Sequence, residues 1–591
     1  MNSGIRAPYG LTILWRLVME KKSLPWDFLE EFKGTMFSGE WPTLPQMLSI
    51  SAKRYPDRNC LTCFEPDRIT LNYTQALEKI KNLSYWMIEN GVKKDDHVAV
   101  TGKNSPEWAV VYFATLFAGG VIIPIDAGLR IEETEILLEK SRPVLLFCDE
   151  EKYNHFATKD KKSFNVYALH KDEGERYVYN LKNKGEYDMV EVKEDEVAAI
   201  LFTSGTMGNP KGVMLTHKNL VADCYIAQTN LTLYPEDVFY ALLPIHHSYT
   251  MLAVFIEALS CGAEVVFGKT LSVSKMMHEL KEGKITMLLG VPLLFNKLLA
   301  GILKGVRAKG AFVYGIIKMM MGFSYFVKKV FHRNIGKKLF RSVLEKANLS
   351  TIRIAISGGG PLAPSVFKAF NEFGIDFVQG YGLTETSPII ALNPKEHFKI
   401  ESVGRYFYPH MDMKIINPNE DGIGEICVRG PMVMKGYYLM PEETAQIISE
   451  DGYLKTGDLG YLDNEKYLYL CGRAKNLIVT SGGKNVFPEE IENMFQMYYN
   501  QIDQITVQGY LENDEDLNEA VEVLVYPSND LYSTMSLQRG KLEDDALVEK
   551  QIKNIIADVN KKLLPYQRIT KITFLKTPLE MTTTKKVKRR K

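Results

Sequence analysis

Long apolar runs are scarce in this 591-residue chain. The N-terminal stretch Leu11–Met19 is short and broken by Arg16, so it does not read as a secretory signal. The other tempting stretch, Ala109 to Ile125, is interrupted by Gly119-Gly120 and Pro124 and bounded by Asp126. It reads as a core helix, a glycine turn and a strand, not as a membrane span. Cysteine is sparse too. There are seven, an odd number, with one Cys60-x-x-Cys63 pair and no second pair or nearby histidines to complete a zinc site. That excludes a disulfide framework and suits core cysteines in a reducing cytosol. An excess of either charge is also missing. Lys plus Arg and Asp plus Glu both number 72, so composition points to no nucleic-acid partner. No repeat at solenoid spacing stands out. The chain is therefore expected to be cytoplasmic, either soluble or attached peripherally to the inner face of a membrane.

One local absence is unusual. Between Glu282 and Glu345 there is no Asp or Glu, while Lys304–Arg341 carries ten Lys or Arg among many Met, Phe, Tyr, Ile and Val residues. Two readings stand side by side. The segment contacts an anionic lipid surface or handles an acyl chain, or its helices pack on the main body and its lysines face solvent.

Hydrophobic residues make up 46% of the chain, ample for large cores. Residues 1–42 read as an extension. From Thr43 strands and helices alternate: strand Val98–Thr101, helix Pro106–Leu116, strand Val121–Ile125, helix Ile131–Glu139 and strand Val144–Cys148. Such alternation predicts an α/β fold with parallel sheets covered by helices.

The stretch Ile200–Leu215 concentrates glycine, hydroxyl and lysine between two apolar runs. Backbone N–H groups freed at Gly205 and Gly208, hydroxyls of Thr203, Ser204 and Thr206, and the Lys211 ammonium can all donate to a polyphosphate. It is not a Walker A loop. Pro210 lies five residues after Gly205, Gly212 follows Lys211, and Val213–Thr216 reads as a strand where that motif needs a helix. A P-loop kinase or GTPase is a poor fit. Downstream, Gly358-Gly359-Gly360 and Gln379–Pro388 set glycines, including Gly382, beside Tyr381, an arrangement in which a flat base can lie against backbone and ring. Thr384 can then reach a phosphate. Glu385 offers a hard oxygen to Mg²⁺, with the Thr203 hydroxyl as a second ligand. In Gly452–Tyr461, Asp458 can accept both hydrogen bonds of a ribose cis-diol.

These segments, in this order, resemble the adenylate-forming enzymes, the acyl-CoA synthetase and luciferase superfamily. Met207 departs from the Thr or Ser usual there and removes one hydroxyl donor. The resemblance spans roughly residues 43–591 and is nearest to bacterial long-chain fatty acid–CoA ligases. It implies a large N-terminal domain of stacked α/β sheets with a β-barrel-like part, residues 43–472, and a small mobile C-terminal α/β domain, residues 473–591. It implies ATP, Mg²⁺ and CoA, with a fatty acid as substrate and acyl carrier protein as an alternative acceptor. By the same resemblance Arg473 reaches the ribose, Lys475 is the hinge, Gly482 lets pantetheine pass, Lys484 contacts a phosphate and His247 lines the acyl pocket. The C-terminal Thr582, Thr584, Lys586 and Arg589 match the family's closing pattern. Lys585 replaces its glycine, so two lysines compete, and register favours Lys586 as the group that bridges substrate carboxylate and α-phosphate. A peptide-synthetase adenylation domain, an aryl-acid ligase and a luciferase share the first half-reaction. A non-catalytic lipid-binding scaffold is the alternative from a different class.

Overall fold

The computed structural model describes residues 24–159, 163–188, 190–203, 210–270, 272–480, 484–511 and 519–581. Two large sheets and a small one organise it. In the seven-stranded sheet, strands His97–Thr101, Val121–Ile125, Leu145–Cys148 and Asn165–Ala168 run parallel beside β1 (Val197–Thr203). On that side the pairing turns antiparallel: β2 (Lys211–Thr216) folds back on β1 in the register Thr203↔Lys211, and Gly436–Tyr437 pairs with β2 at the edge. The expected boundaries hold to within two residues: helix Pro106–Phe117, strand Val121–Ile125 and helix Ile131–Ser141. Every residue of helix Pro106–Phe117 is buried, which explains its lack of a polar face. The turn after it needs glycine: Gly119 has φ +77°, and a Cβ there would sit 2.5 Å from Val190 Cγ1.

The 13-stranded sheet has two halves. Its parallel half carries strands Val238–Ala241, Glu264–Phe267, Met287–Gly290, Ile354–Ser357 and β3 (Asp376–Gly382). Its antiparallel half, which corresponds to the barrel-like part, includes strands Ile389–Leu392 and Gly404–Tyr406, β4 (Leu454–Leu462) and β5 (Tyr467–Arg473). One core cluster joins residues of both large sheets. Leu29, Phe32, Phe37 and Trp41 belong to it. Residues 24–42 are therefore part of the core, where the sequence had suggested an extension, and residues 1–23 lie outside the described set.

After β5 the chain builds a three-stranded sheet, Ile502–Tyr510, Ala520–Pro527 and Ile569–Phe574, covered by helix Leu542–Asn560. Its buried residues form their own cluster between Ile478 and Ile569. A large N-terminal and a small C-terminal domain thus have separate cores. Cys60 and Cys63 sit buried on strand Asn59–Cys63, and burial pushes both thiols up, as core cysteines should be.

Two anchors matter for the site. His217 opens α1 (His217–Ala227) directly after β2; it is buried, and its Nδ1 accepts the Leu44 N–H at 3.2 Å. Burial pushes the imidazole down to about 4. Between that value and the ordinary 6.5 the unfolded chain binds the proton and the folded chain does not, so stability falls as pH drops through this window. The loss is expected to reach about 3 kcal/mol near pH 4. Urea midpoints measured from pH 7 to pH 4 should fall more steeply in the natural protein than in His217→Asn. The second anchor is Lys328 on α3 (Ala311–Phe331), which follows α2 (Pro292–Arg307). Its buried Nζ bonds Asn371 Oδ1 and Asp376 Oδ1, each at 2.7 Å, and so ties α3 to the helix before β3 and to the start of β3. Burial lowers the Lys328 pKa, and the Asp376 carboxylate opposes that shift.

Candidate active site

A cleft of about 3120 Å³ separates the two domains and reaches into the large one. The C-terminal ends of β1 and β3, the loop after strand Ile354–Ser357 and the ends of β4 and β5 converge on it. Strand ends and the turns after them are where parallel sheets present polar groups.

Its most developed polar group is a triad. Asp458 on β4 and Arg473 on β5 are direct cross-strand partners. Arg473 Nε lies 2.9 Å from Asp458 Oδ1, and the Tyr381 hydroxyl at the end of β3 donates to Asp458 Oδ2 at 2.6 Å. The Asp458 charge raises the guanidinium pKa of Arg473. Burial, reinforced by the same carboxylate, pushes the Tyr381 phenol well up, so it remains a donor. The triad presents one buried carboxylate and one half-exposed guanidinium at the cleft wall.

The glycines nearby differ in their reasons. Gly359 (φ +75°) and Gly360 line the cleft, and a Cβ on either would meet nothing closer than 3.7 Å, so the space beside them is open. Gly382 is glycine for packing: a Cβ there would lie 1.5 Å from the Pro388 carbonyl oxygen.

Glu385 and Thr384 follow on a short 3-10 turn on the wall. Glu385 Oε1 accepts the Tyr437 hydroxyl at 2.8 Å. The Lys211 ammonium lies 4.6 Å from the centre of the same Tyr437 ring. Lys211 is therefore one side chain removed from the wall, linked to Glu385 through Tyr437. Tyr437 was not singled out in the sequence, where nothing separates it from the other tyrosines among 31. Thr384 Oγ1 and Ser248 Oγ are 3.1 Å apart. Thr203 ends β1 on the wall, with its hydroxyl 3.4 Å from the Lys211 carbonyl oxygen. Glu385 and Thr203 thus give this cleft a carboxylate and a hydroxyl, oxygen groups of the kind a hard divalent cation takes.

His247 lines the cleft. Beside it are His246 and Asp126, which the sequence reading passed over because 120 residues separate them. His246 Nε2 lies 3.4 Å from Asp126 Oδ2, and the two imidazole centres are 4.0 Å apart. Among the described residues these three form a set whose ligand atoms lie within 4.8 Å of one another. Beyond them the wall turns apolar, with Phe239, Met287, Leu289, Leu294, Leu298 and Ile302, and it follows α2 as far as Lys309.

Lys475 sits on a 3-10 turn, Ala474–Asn476, between β5 and the small domain, and it lines the cleft. Asn476 Nδ2 donates to Glu489 Oε1 at 2.6 Å. The small domain touches the loop beyond Gly360 through Gln496 Nε2, which donates to the Pro361 carbonyl at 2.7 Å. Lys484 is exposed and is not among the lining residues. Ser204, Gly205, Thr206, Gly208, Gly482 and Lys586 lie outside the described residues.

Comparison with known proteins identifies the family. A profile of the AMP-binding enzyme family matches residues 48–438. The Arabidopsis thaliana chloroplastic long-chain-fatty-acid–[acyl-carrier-protein] ligase AEE15 is 29% identical over 571 residues, covering 83% of this chain and 78% of its own. The Mus musculus long-chain-fatty-acid–CoA ligase ACSBG2 is 26% identical, covering 76% of this chain and 73% of its own. The crystal structure of ATP-bound MatB from Rhodopseudomonas palustris superposes with a TM-score of 0.71 at 24% identity, covering 92% of this chain and 97% of that one. With two thirds of its length matched to the profile, the chain belongs to the AMP-binding enzyme family.

Proposed function

We propose that the cleft activates a fatty carboxylate with ATP and passes the acyl group to a thiol. A carboxylate oxygen attacks the α-phosphorus, the bond to the β-phosphate oxygen breaks, and pyrophosphate leaves. The thiol sulfur then attacks the carbonyl carbon, loses its proton to solvent and expels AMP. Carboxylates are poor acyl donors, and the mixed anhydride supplies a good leaving group. The observation that carries this reading is the convergence of the Asp458–Arg473–Tyr381 triad, the Glu385–Tyr437–Lys211 chain and an apolar arm on one cleft.

In this reading Asp458 and Arg473 hold the ribose, and the purine lies between the open side of Gly359-Gly360 and the Tyr381 ring. Thr384, Lys211 and residues 203–208 address the phosphates, with Lys211 acting by its charge across Tyr437. Glu385 and Thr203 would hold Mg²⁺, which when bound offsets phosphate charge. His247 flanks the carboxylate end of the acyl arm. Separate domain cores and the turn at Lys475 support a small domain that reorients between half-reactions. Lys586 would serve the first half, and the face with Gly482 and Lys484 the second.

Asp458→Asn retains an acceptor for Tyr381 but removes the charge facing Arg473. Its KM for ATP is expected to rise about tenfold with a smaller change in kcat; an unchanged KM would remove the ribose assignment.

The long apolar arm supports a long-chain acid. Acceptors are distinguished by measuring thioester formation from octanoate through stearate with CoA and with holo-acyl carrier protein. Activity that rises with chain length and requires CoA is expected. Preference for an aryl acid would overturn the fatty-acid reading, and preference for the carrier protein would replace the acceptor.

A further inference from the structure

Among the described residues, one face of α3 has no partner. Phe312, Ile316, Met319, Phe323, Phe326 and Val330 are all exposed, Phe312 by 81% and Met319 by 69%. They recur every three or four residues, so they form one continuous stripe along a 21-residue helix. The opposite face is fixed to the large domain by Met321, Ser324 and the Lys328 pairing. The helix is therefore held rigidly with its apolar side outward. A stripe of this size on a soluble surface marks a docking site.

Charge identifies what docks. Lys318, Arg333 and Lys338 are exposed on and just after this helix, and the chain has no acidic residue from 283 to 344. A second copy of the helix would bring like charges together along the stripe, a costly pairing. An anionic surface with an apolar interior satisfies both properties at once. Among the described residues no helix is long and apolar enough to cross a membrane. Lys328 and Ser324 also bind the helix to protein along its inner face. A helix of this kind lies flat in the headgroup region.

We propose that α3 docks this protein flat onto an anionic phospholipid bilayer, with the Phe312–Val330 stripe inserted and the flanking cations on the headgroups. The apolar arm of the cleft runs along α2 to Lys309, two residues before α3 begins. Docking would set that end of the arm beside the lipid phase. Only this last point rests on the fatty-acid reading; the docking itself does not.

The test is co-sedimentation of the full chain with phosphatidylcholine vesicles, with and without phosphatidylglycerol. Partitioning is expected to be at least about tenfold stronger on the anionic vesicles and to collapse in high salt. Phe323→Ser/Phe326→Ser and Lys318→Glu/Arg333→Glu should each lose at least about tenfold in partitioning. Unchanged thermal midpoints and unchanged ATP–pyrophosphate exchange on dispersed octanoate would show the variants to be folded. Equal partitioning to neutral and anionic vesicles, no partitioning, or wild-type binding by both variants overturns the proposal. So does a concentration-dependent dimer in lipid-free solution that Phe323→Ser/Phe326→Ser abolishes, because the stripe is then a self-association face. Failure of octanoate exchange in the natural protein would count against the adenylation reading and leave the vesicle result standing.

Discussion

Glu385→Gln is expected to lower fatty-acid-dependent ATP–pyrophosphate exchange by about 10²- to 10³-fold, the usual cost of removing one charge-stabilising group from an active site. The substitution isolates charge. Glutamine keeps the side-chain length, and its carbonyl oxygen can still accept the Tyr437 hydroxyl that now bonds Oε1. The Glu385 backbone carbonyl continues to accept the Met434 N–H at 2.9 Å. Structure should therefore survive, with an unchanged thermal midpoint, while the hard anionic ligand disappears. An apparent affinity for Mg²⁺ that falls together with the rate would identify Glu385 as its ligand. A rate within about twofold of the natural enzyme would mean that Glu385 serves only to hold Tyr437 under the Lys211 ammonium.

Lys586→Ala is expected to have the most selective effect. Acyl-AMP formation should fall by about 10³-fold, while thioester formation from supplied acyl-AMP stays within a few fold. The asymmetry follows from the chemistry of the two halves. Negative charge gathers between carboxylate and α-phosphate only in the first, and a lysine ammonium brought to that point offsets it there. In the second half the thiol needs the face that Lys586 would otherwise occupy. Single-turnover measurement of each half separates them, and equal loss in both would dismiss the alternation of the small domain. Lys585→Ala is the matched control for register.

Much of the large domain could be read from the sequence because its local signals agree. Alternating apolar runs, the Gly119 turn and the strand after Lys211 each obey a short-range rule, and the observed boundaries follow them. The site was legible where one residue type carries its own chemistry. Asp458, Arg473, Tyr381 and Glu385 do reach one cleft. Lys211 was less legible. The sequence put it in a phosphate loop, and the structure sets its ammonium over Tyr437, a residue 226 positions away that no local pattern marks. The Asp126–His246 approach was hidden for the same reason, since sheet topology, not spacing, brings the end of strand Val121–Ile125 to the histidine turn. Gly382 carries a packing reason that the sequence did not show: it lines the cleft, and its Cβ direction is taken by the Pro388 carbonyl. The basic segment was open between packing and lipid contact; α3 packs one face on the large domain and leaves the other exposed, and the proposed docking would use that second face.

In the proposed reaction this cleft splits ATP between its α- and β-phosphates as a fatty carboxylate attacks. Exchange of labelled pyrophosphate into ATP, with the full chain, Mg²⁺ and no thiol acceptor, reads that step alone. Exchange is expected to require a fatty acid, to strengthen as the chain lengthens along the apolar arm and to fall about 10²- to 10³-fold in Glu385→Gln. Exchange that is absent with every fatty acid, from a folded protein that still binds acyl chains, would contradict it and favour a lipid-binding scaffold.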